Sequence, residues 1–111
     1  VASKAIEARF RRLKEMGCVV CGAVLGLGYR DADIHHLVDK GDRAKSGGDM
    51  ATIPLCLWHH RGIPPEGHSE AWALQNMGPS IALHGKTFNR TYGQRKLLGI
   101  VNSLLGMECA A

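Results

Sequence analysis

The chain has 111 residues, 45% of them hydrophobic and 22% charged, with 14 Lys and Arg against 10 Asp and Glu for a net charge of +4. That length predicts one small domain over residues 1–111 with a modest core, and the apolar content excludes wholesale disorder. No apolar run nears the ~18 residues that span a bilayer, and no charged-then-apolar leader opens the chain, so a cytoplasmic protein is expected.

The charge is uneven. Residues 1–16 hold five basic and two acidic side chains, residues 17–85 five basic and seven acidic, and residues 86–96 four basic and no acidic ones. Basic ends around a mildly acidic centre suit a polyanion tracked along the outside, with a cation seated within.

In chain order, Ile6, Phe10, Leu13 and Met16 recur at spacings of four, three and three, which predicts a helix over 3–16. Ser3 caps its start and Gly17 its end. Cys18-Val-Val-Cys21 reads as a short strand or the first arm of a zinc knuckle. Gly22, Gly26 and Gly28 then break the chain into a loop. Ala32 to Val38 reads as a strand carrying His35 and His36. Residues 39–52, with Gly41, Gly47, Gly48 and alternating charges, read as a flexible loop. Thr52 to Leu55 is a short strand with Pro54 at a sheet edge. A helix begins near Leu57 and must stop by Pro64-Pro65. Ala71 to Met77 reads as helical. Lys86 to Tyr92 and Gln94 to Leu105 are two further helical pieces around Gly93. Leu97, Leu98, Val101, Leu104 and Leu105 give the last an apolar stripe, weakened by Gly99.

Four cysteines and six histidines are the informative residues. Cys18-x-x-Cys21 and Cys56-x-x-His59 each let one tight turn point two ligands at one ion. Together they make a tetrahedron of three thiolates and one imidazole, a common structural zinc set. Thiolate favours zinc over magnesium or calcium. A small domain needs such a staple, and closing it couples metal binding to folding. Cys109 stands apart and reads as a spare thiol. Unpaired cysteines at ligand spacing fit a reducing compartment better than an oxidising one.

His59 serves the zinc and leaves His60 free. On a helix the two sit about 100° apart, so His60 can face a second site. His35 and His36 are adjacent on a strand and point to opposite faces. The knuckle thus carries His60 towards the strand that bears His35 and His36.

With Cys-x-x-Cys, then Ile34-His35-His36-Leu37, then Ile53-Pro54-Leu55-Cys56-Leu57-Trp58-His59-His60, the chain resembles the HNH endonucleases of the ββα-metal fold. It resembles most the phage Ref-type recombination nuclease group, in which Cys-x-x-His-His replaces the usual Cys-x-x-Cys-His. Ile81-Ala82-Leu83-His84-Gly85, Phe88 and Tyr92-Gly93 are similar to the tail of that group. The likeness spans residues 15–93.

The resemblance implies an α+β fold. A small ββα-metal core, about 15–93, is stapled by structural zinc and flanked by helices at about 3–16 and 94–105. It implies a DNA endonuclease of phage or prophage recombination or processing, with weak sequence preference. His36 would be the general base, and His35, His60 and His84 would hold the catalytic divalent ion. His68 competes with His84 for the third place. Cys18, Cys21, Cys56 and His59 would be the zinc set. Magnesium, manganese and zinc are the catalytic ions considered, and no organic cofactor is expected. The middle asparagine of the HNH name has no match here; Ala51 and nearby Asp49 occupy that stretch, as in Ref-type members that also lack it. The resemblance brings in the RecA filament as a partner, although no long basic N-terminal arm of the sort that engages a filament is read in this sequence.

Arg43, Lys45 and Arg61 flank the expected site and are candidates to hold the phosphate. Lys86 and Arg90, with Arg95 and Lys96, are candidates for backbone contacts away from the cut. Trp58 and Trp72 could stack bases, but each is more often packing. Two other classes fit parts of the pattern. A non-catalytic zinc-knuckle DNA-binding module needs the four zinc ligands but neither His36 nor His60. A zinc-stapled adaptor for another protein needs no basic ends.

Overall fold

A computed structural model describes residues 3–110, and their side chains as far as residue 106. The chain folds as a mixture of helices and one small sheet. Helix α1 spans Lys4–Met16; the Ser3 hydroxyl accepts the Ile6 N–H, closing the cap expected there. Strands β1 (Asp33–His36) and β2 (Thr52–Leu55) pair antiparallel, with His35 opposite Ile53 and His36 opposite Thr52. Four helices follow: α2 (Leu57–Arg61), α3 (Glu70–Met77), α4 (Gly85–Thr91) and α5 (Gln94–Ala110). Among the described residues, no helix is long and apolar enough to cross a membrane.

Period-two alternation gives the sheet two different faces. One face turns to α1, where Phe10 meets His36 edge-on and Arg9 reaches Thr52. The other turns to α2, where His60 meets Asp33 and His35. Helix α5 runs past β2, with Gln94 bonded to His35 at its start and Asn102 bonded to Arg9 further along.

Leu13, Val20, Ile53, Leu55, Trp58, Phe88, Leu97 and Val101 are almost fully buried. Each such side chain contributes about 1.5–3 kcal/mol by leaving water. Of the predicted α1 stripe, Leu13 lies in the core while Phe10 and Met16 pack partly buried against it. Arg9 is buried on the same helix. It bonds the Thr52 hydroxyl at 2.9 Å, the Thr52 carbonyl at 2.7 Å and Asn102 Oδ1 at 2.9 Å. A guanidinium carries five donors, so these acceptors let it replace an apolar residue at a three-element junction.

Several sequence readings shift. Cys18–Cys21 is not a strand: Cys18 starts a tight helical turn that continues as a π-type turn over Val20–Val24. Strand β1 is shorter than Ala32–Val38. Helix α2 ends before the prolines because Gly62 adopts a left-handed φ of 74° and its N–H caps Leu57 and Trp58. Helix α5 continues past Leu105 despite Gly99. The loop between the strands is built of hydrogen-bonded turns. Ser46 accepts Lys40 N–H, Asp42 accepts Lys45 N–H, and Arg95 bonds both oxygens of Asp39.

Candidate metal centre and histidine face

The turn after α1 and the start of α2 deliver the four expected ligands to one point. Cys18, Cys21, Cys56 and His59 are all buried, and their ligand atoms lie within 4.8 Å of one another. His59 Nδ1 stands 3.5, 3.6 and 3.3 Å from the sulfurs of Cys18, Cys21 and Cys56, and the Cys21 and Cys56 sulfurs are 3.9 Å apart. A tetrahedral zinc with ordinary bond lengths requires about 3.8 Å between sulfurs and about 3.5 Å between sulfur and nitrogen. The donor set and its spacing therefore fit a structural zinc.

The electrostatics agree. Neighbouring Cys18 and Cys56 sulfurs, with burial, push the Cys21 thiol up. Burial disfavours charge on His59, but the sulfurs and the Met77 carbonyl outweigh it and push the imidazole up to about 9; a metal at this point must displace that proton, because a ligating imidazole is neutral. Three buried sulfurs this close cannot all be thiolates without a cation to balance them. His59 Nε2 donates to the Met77 carbonyl at 2.7 Å, which leaves Nδ1 as the ligand atom. Tyr92 donates to the same carbonyl at 3.1 Å. Gly78 makes room for that hydroxyl: it has φ 81°, and a Cβ there would collide with Tyr92.

Beside this centre, His60 leaves α2 towards β1. Its ring meets that of His35 edge-on, with centroids 5.2 Å apart. His60 Nδ1 lies 3.2 Å from Asp33 Oδ2, and Arg61 Nε donates to the same oxygen at 3.0 Å. His35 Nε2 faces Gln94 Oε1 at 3.1 Å. The Gln94 amide group donates to Asn89, so its carbonyl is the atom turned to His35. The bond therefore comes from His35 Nε2–H and leaves Nδ1 open. Burial lowers the pKa of His35, so it stays neutral, the form that binds metals.

His36 lies on the opposite face of β1, its Nε2 2.8 Å from Asp49 Oδ1. His84 Nδ1 accepts the Ser80 N–H at 3.2 Å and its ring lies near Trp58. His68 stacks on Trp72 at 3.7 Å. Among the described residues, the Cys3His cluster is the one group of three or more such ligands drawn together.

Arg43, Lys45, Lys86 and Arg90 are exposed. Arg61 is paired with Asp33, and Arg95 with Asp39. Trp58 is core, 1% exposed, with its Nε1–H on the Gly78 carbonyl. Cys109 falls outside the described side chains.

The sequence reading passed over Asp33, Gln94 and the Met77 carbonyl. Asp33 had a signal, because a strand places it two residues from His35 on the same face. Gln94 had none, since it meets His35 across 59 positions of chain.

The chain is thus a small mixed α+β domain with a buried Cys3His cluster able to hold a metal and a pair of histidines beside it. A family model described as recombination enhancement, RecA-dependent nuclease, matches residues 3–105. The chain belongs to that family. No curated protein and no solved structure matches it.

Proposed function

We propose that the protein is an HNH-type, metal-dependent DNA endonuclease of recombination, acting with weak sequence preference in a bacterial or phage-infected cytoplasm. The observation that carries this reading is the pairing of His35 with His60 across β1 and α2, next to the zinc-type centre, in a chain of the RecA-dependent nuclease family.

In this reading the Cys3His set holds a structural zinc that fixes the start of α2, and with it the direction of His60. His35 Nδ1 and His60 Nε2 are the open ring nitrogens that hold a catalytic divalent ion, with magnesium, manganese or zinc as candidates. The resemblance adds His84 as a third ligand; in that role its ring exchanges the Ser80 N–H for the ion. When bound, the ion supplies Lewis-acid stabilisation of the scissile phosphate and the leaving 3′ oxygen. His36 takes the proton from the attacking water, a task for which imidazole is the commonest side chain. Arg43 and Lys45 on the inter-strand loop, with Arg61, steady the phosphate. Lys86 and Arg90 hold the DNA backbone further off without reading sequence. A RecA filament is the proposed partner that presents the DNA.

The test is nicking of DNA with added magnesium or manganese, with and without a RecA filament, for wild type and His36→Ala. Wild type is expected to cut and His36→Ala to lose about 10²-fold or more. If neither protein cuts in any condition while both bind DNA, the non-catalytic zinc-knuckle module replaces this reading.

A further inference from the structure

We infer that Asp49 is the positioning residue for His36: it fixes the imidazole with its proton on Nε2, so that Nδ1 is the atom that accepts the proton from water. This inference rests on the proposed nuclease reading.

The contact is a 2.8 Å approach of His36 Nε2 to Asp49 Oδ1. An ionised carboxylate only accepts, so the imidazole nitrogen facing it must carry the hydrogen. A neutral imidazole has one N–H, which leaves the lone pair on Nδ1. No described residue hydrogen-bonds that nitrogen. The Phe10 ring stands edge-on to the imidazole at 6.1 Å and limits its rotation from the α1 side.

Asp49 is itself held. It sits in the single 3-10 turn Gly48–Met50, closed by Ala51 N–H on the Gly48 carbonyl. Its own carbonyl accepts the Thr52 hydroxyl at 2.9 Å. Thr52 is fully buried, is anchored by Arg9 and is the cross-strand partner of His36. The turn that carries the carboxylate is therefore pinned to the residue directly opposite the imidazole. Only the backbone of Asp49 serves that pinning; its carboxylate serves His36.

The carboxylate is 47% exposed. An ion pair that open to water adds little to folding stability, so its removal leaves the domain folded. The value of the contact lies in orientation. A base held in the wrong tautomer or rotation cannot reach its proton even when all else is in place.

The experiment uses Asp49→Ala, which keeps the backbone carbonyl, and reads zinc content, melting temperature, the histidine nitrogen-15 spectrum and nicking kinetics. Zinc content and melting temperature should match wild type. The nitrogen-15 spectrum of the histidine rings should show a His36 Nε2–H protected from exchange in wild type and lost in the variant. Nicking should show kcat reduced about tenfold or more with KM little changed, the pattern of an interaction that matters in the transition state. A protected Nε2–H that survives Asp49→Ala, or an unchanged kcat, overturns the inference. His36→Ala separates it from the parent reading. If that variant still cuts, His36 is not the base, whatever the spectrum shows of Asp49.

Discussion

The Met77 carbonyl takes two hydrogen bonds, from His59 Nε2 at 2.7 Å and from Tyr92 at 3.1 Å. One backbone oxygen thus ties the zinc-type centre to the end of α3 and the end of α4. His59 aims Nδ1 at the three sulfurs because Nε2 is held from behind.

A metal held in this cluster is expected to stand or fall with the fold. Structural zinc in small domains contributes about 10–16 kcal/mol of apparent binding energy, as large as the whole stability of an ordinary domain. Chelation, or Cys18→Ser, should unfold the chain, seen as loss of helical circular dichroism together with zinc release. A Cys18→Ser protein that keeps both its zinc and its melting temperature rules out this centre. Tyr92→Phe removes only the second donor to Met77 and should cost about 1 kcal/mol with zinc retained.

His35 makes the fold sensitive to mild acid. Burial lowers its pKa below the ordinary 6.5. The unfolded chain then binds the proton more readily than the folded one. The contribution of neutral His35 is complete above about pH 6.5 and is lost as pH falls below that value, at no more than about 1.4 kcal/mol per pH unit. Denaturant midpoints of wild type should fall between pH 7 and pH 5, and those of His35→Gln should fall less. Equal slopes for the two proteins would show that another group carries the effect.

The Cys3His cluster was legible because the spacing within each of its two pairs is local. Two residues between ligands is the span of one tight turn, and the structure needed only to bring two such turns together. The α1 and α5 stripes were legible through helical periodicity. What escaped depends on chain far away in sequence. Arg9 is buried because Thr52 and Asn102 happen to offer it acceptors. Gln94 was read as the start of a helix, and only the packing of α5 past the sheet turns it to His35. The two directions of His35 and His36 followed from strand alternation, yet Asp49 closing on His36 required the inter-strand loop to fold back. That loop read as flexible from its glycines, but the bonds of Arg95 to Asp39 and of Ser46 to Lys40 hold it in turns.

His84 and His68 are separable by metal binding. His84 spends Nδ1 on the Ser80 N–H, so a ligand role obliges its ring to turn. His68 is exposed and stacked on Trp72. His84→Ala is expected to weaken manganese binding at the proposed catalytic site by about tenfold or more, the scale seen when a metal site loses a supporting group, with zinc content unchanged. His68→Ala is expected to leave it alone. A manganese titration on zinc-loaded protein checks both. The reverse pattern moves the third ligand to His68, and no effect from either leaves His35 and His60 as the protein's whole share.

The exposed cations divide by what already holds them. Arg61 and Arg95 are paired with Asp33 and Asp39, so DNA must compete with a carboxylate for each. Arg43, Lys45, Lys86 and Arg90 carry no ion pair among the described residues. Phosphate contacts release counterions, and each one adds about 0.9 to the slope of log affinity against log salt for duplex DNA. Single alanine substitutions at Arg43, Lys45, Lys86 and Arg90 should each flatten that slope by about 1 and weaken binding evenly across sequences. Arg95→Ala should leave the slope nearly unchanged and instead loosen the turns at 39–46. Salt titrations of duplex binding, run side by side, distinguish the two groups. A slope change at Arg95 as large as at Lys86 would mean that the Asp39 pair opens on the DNA.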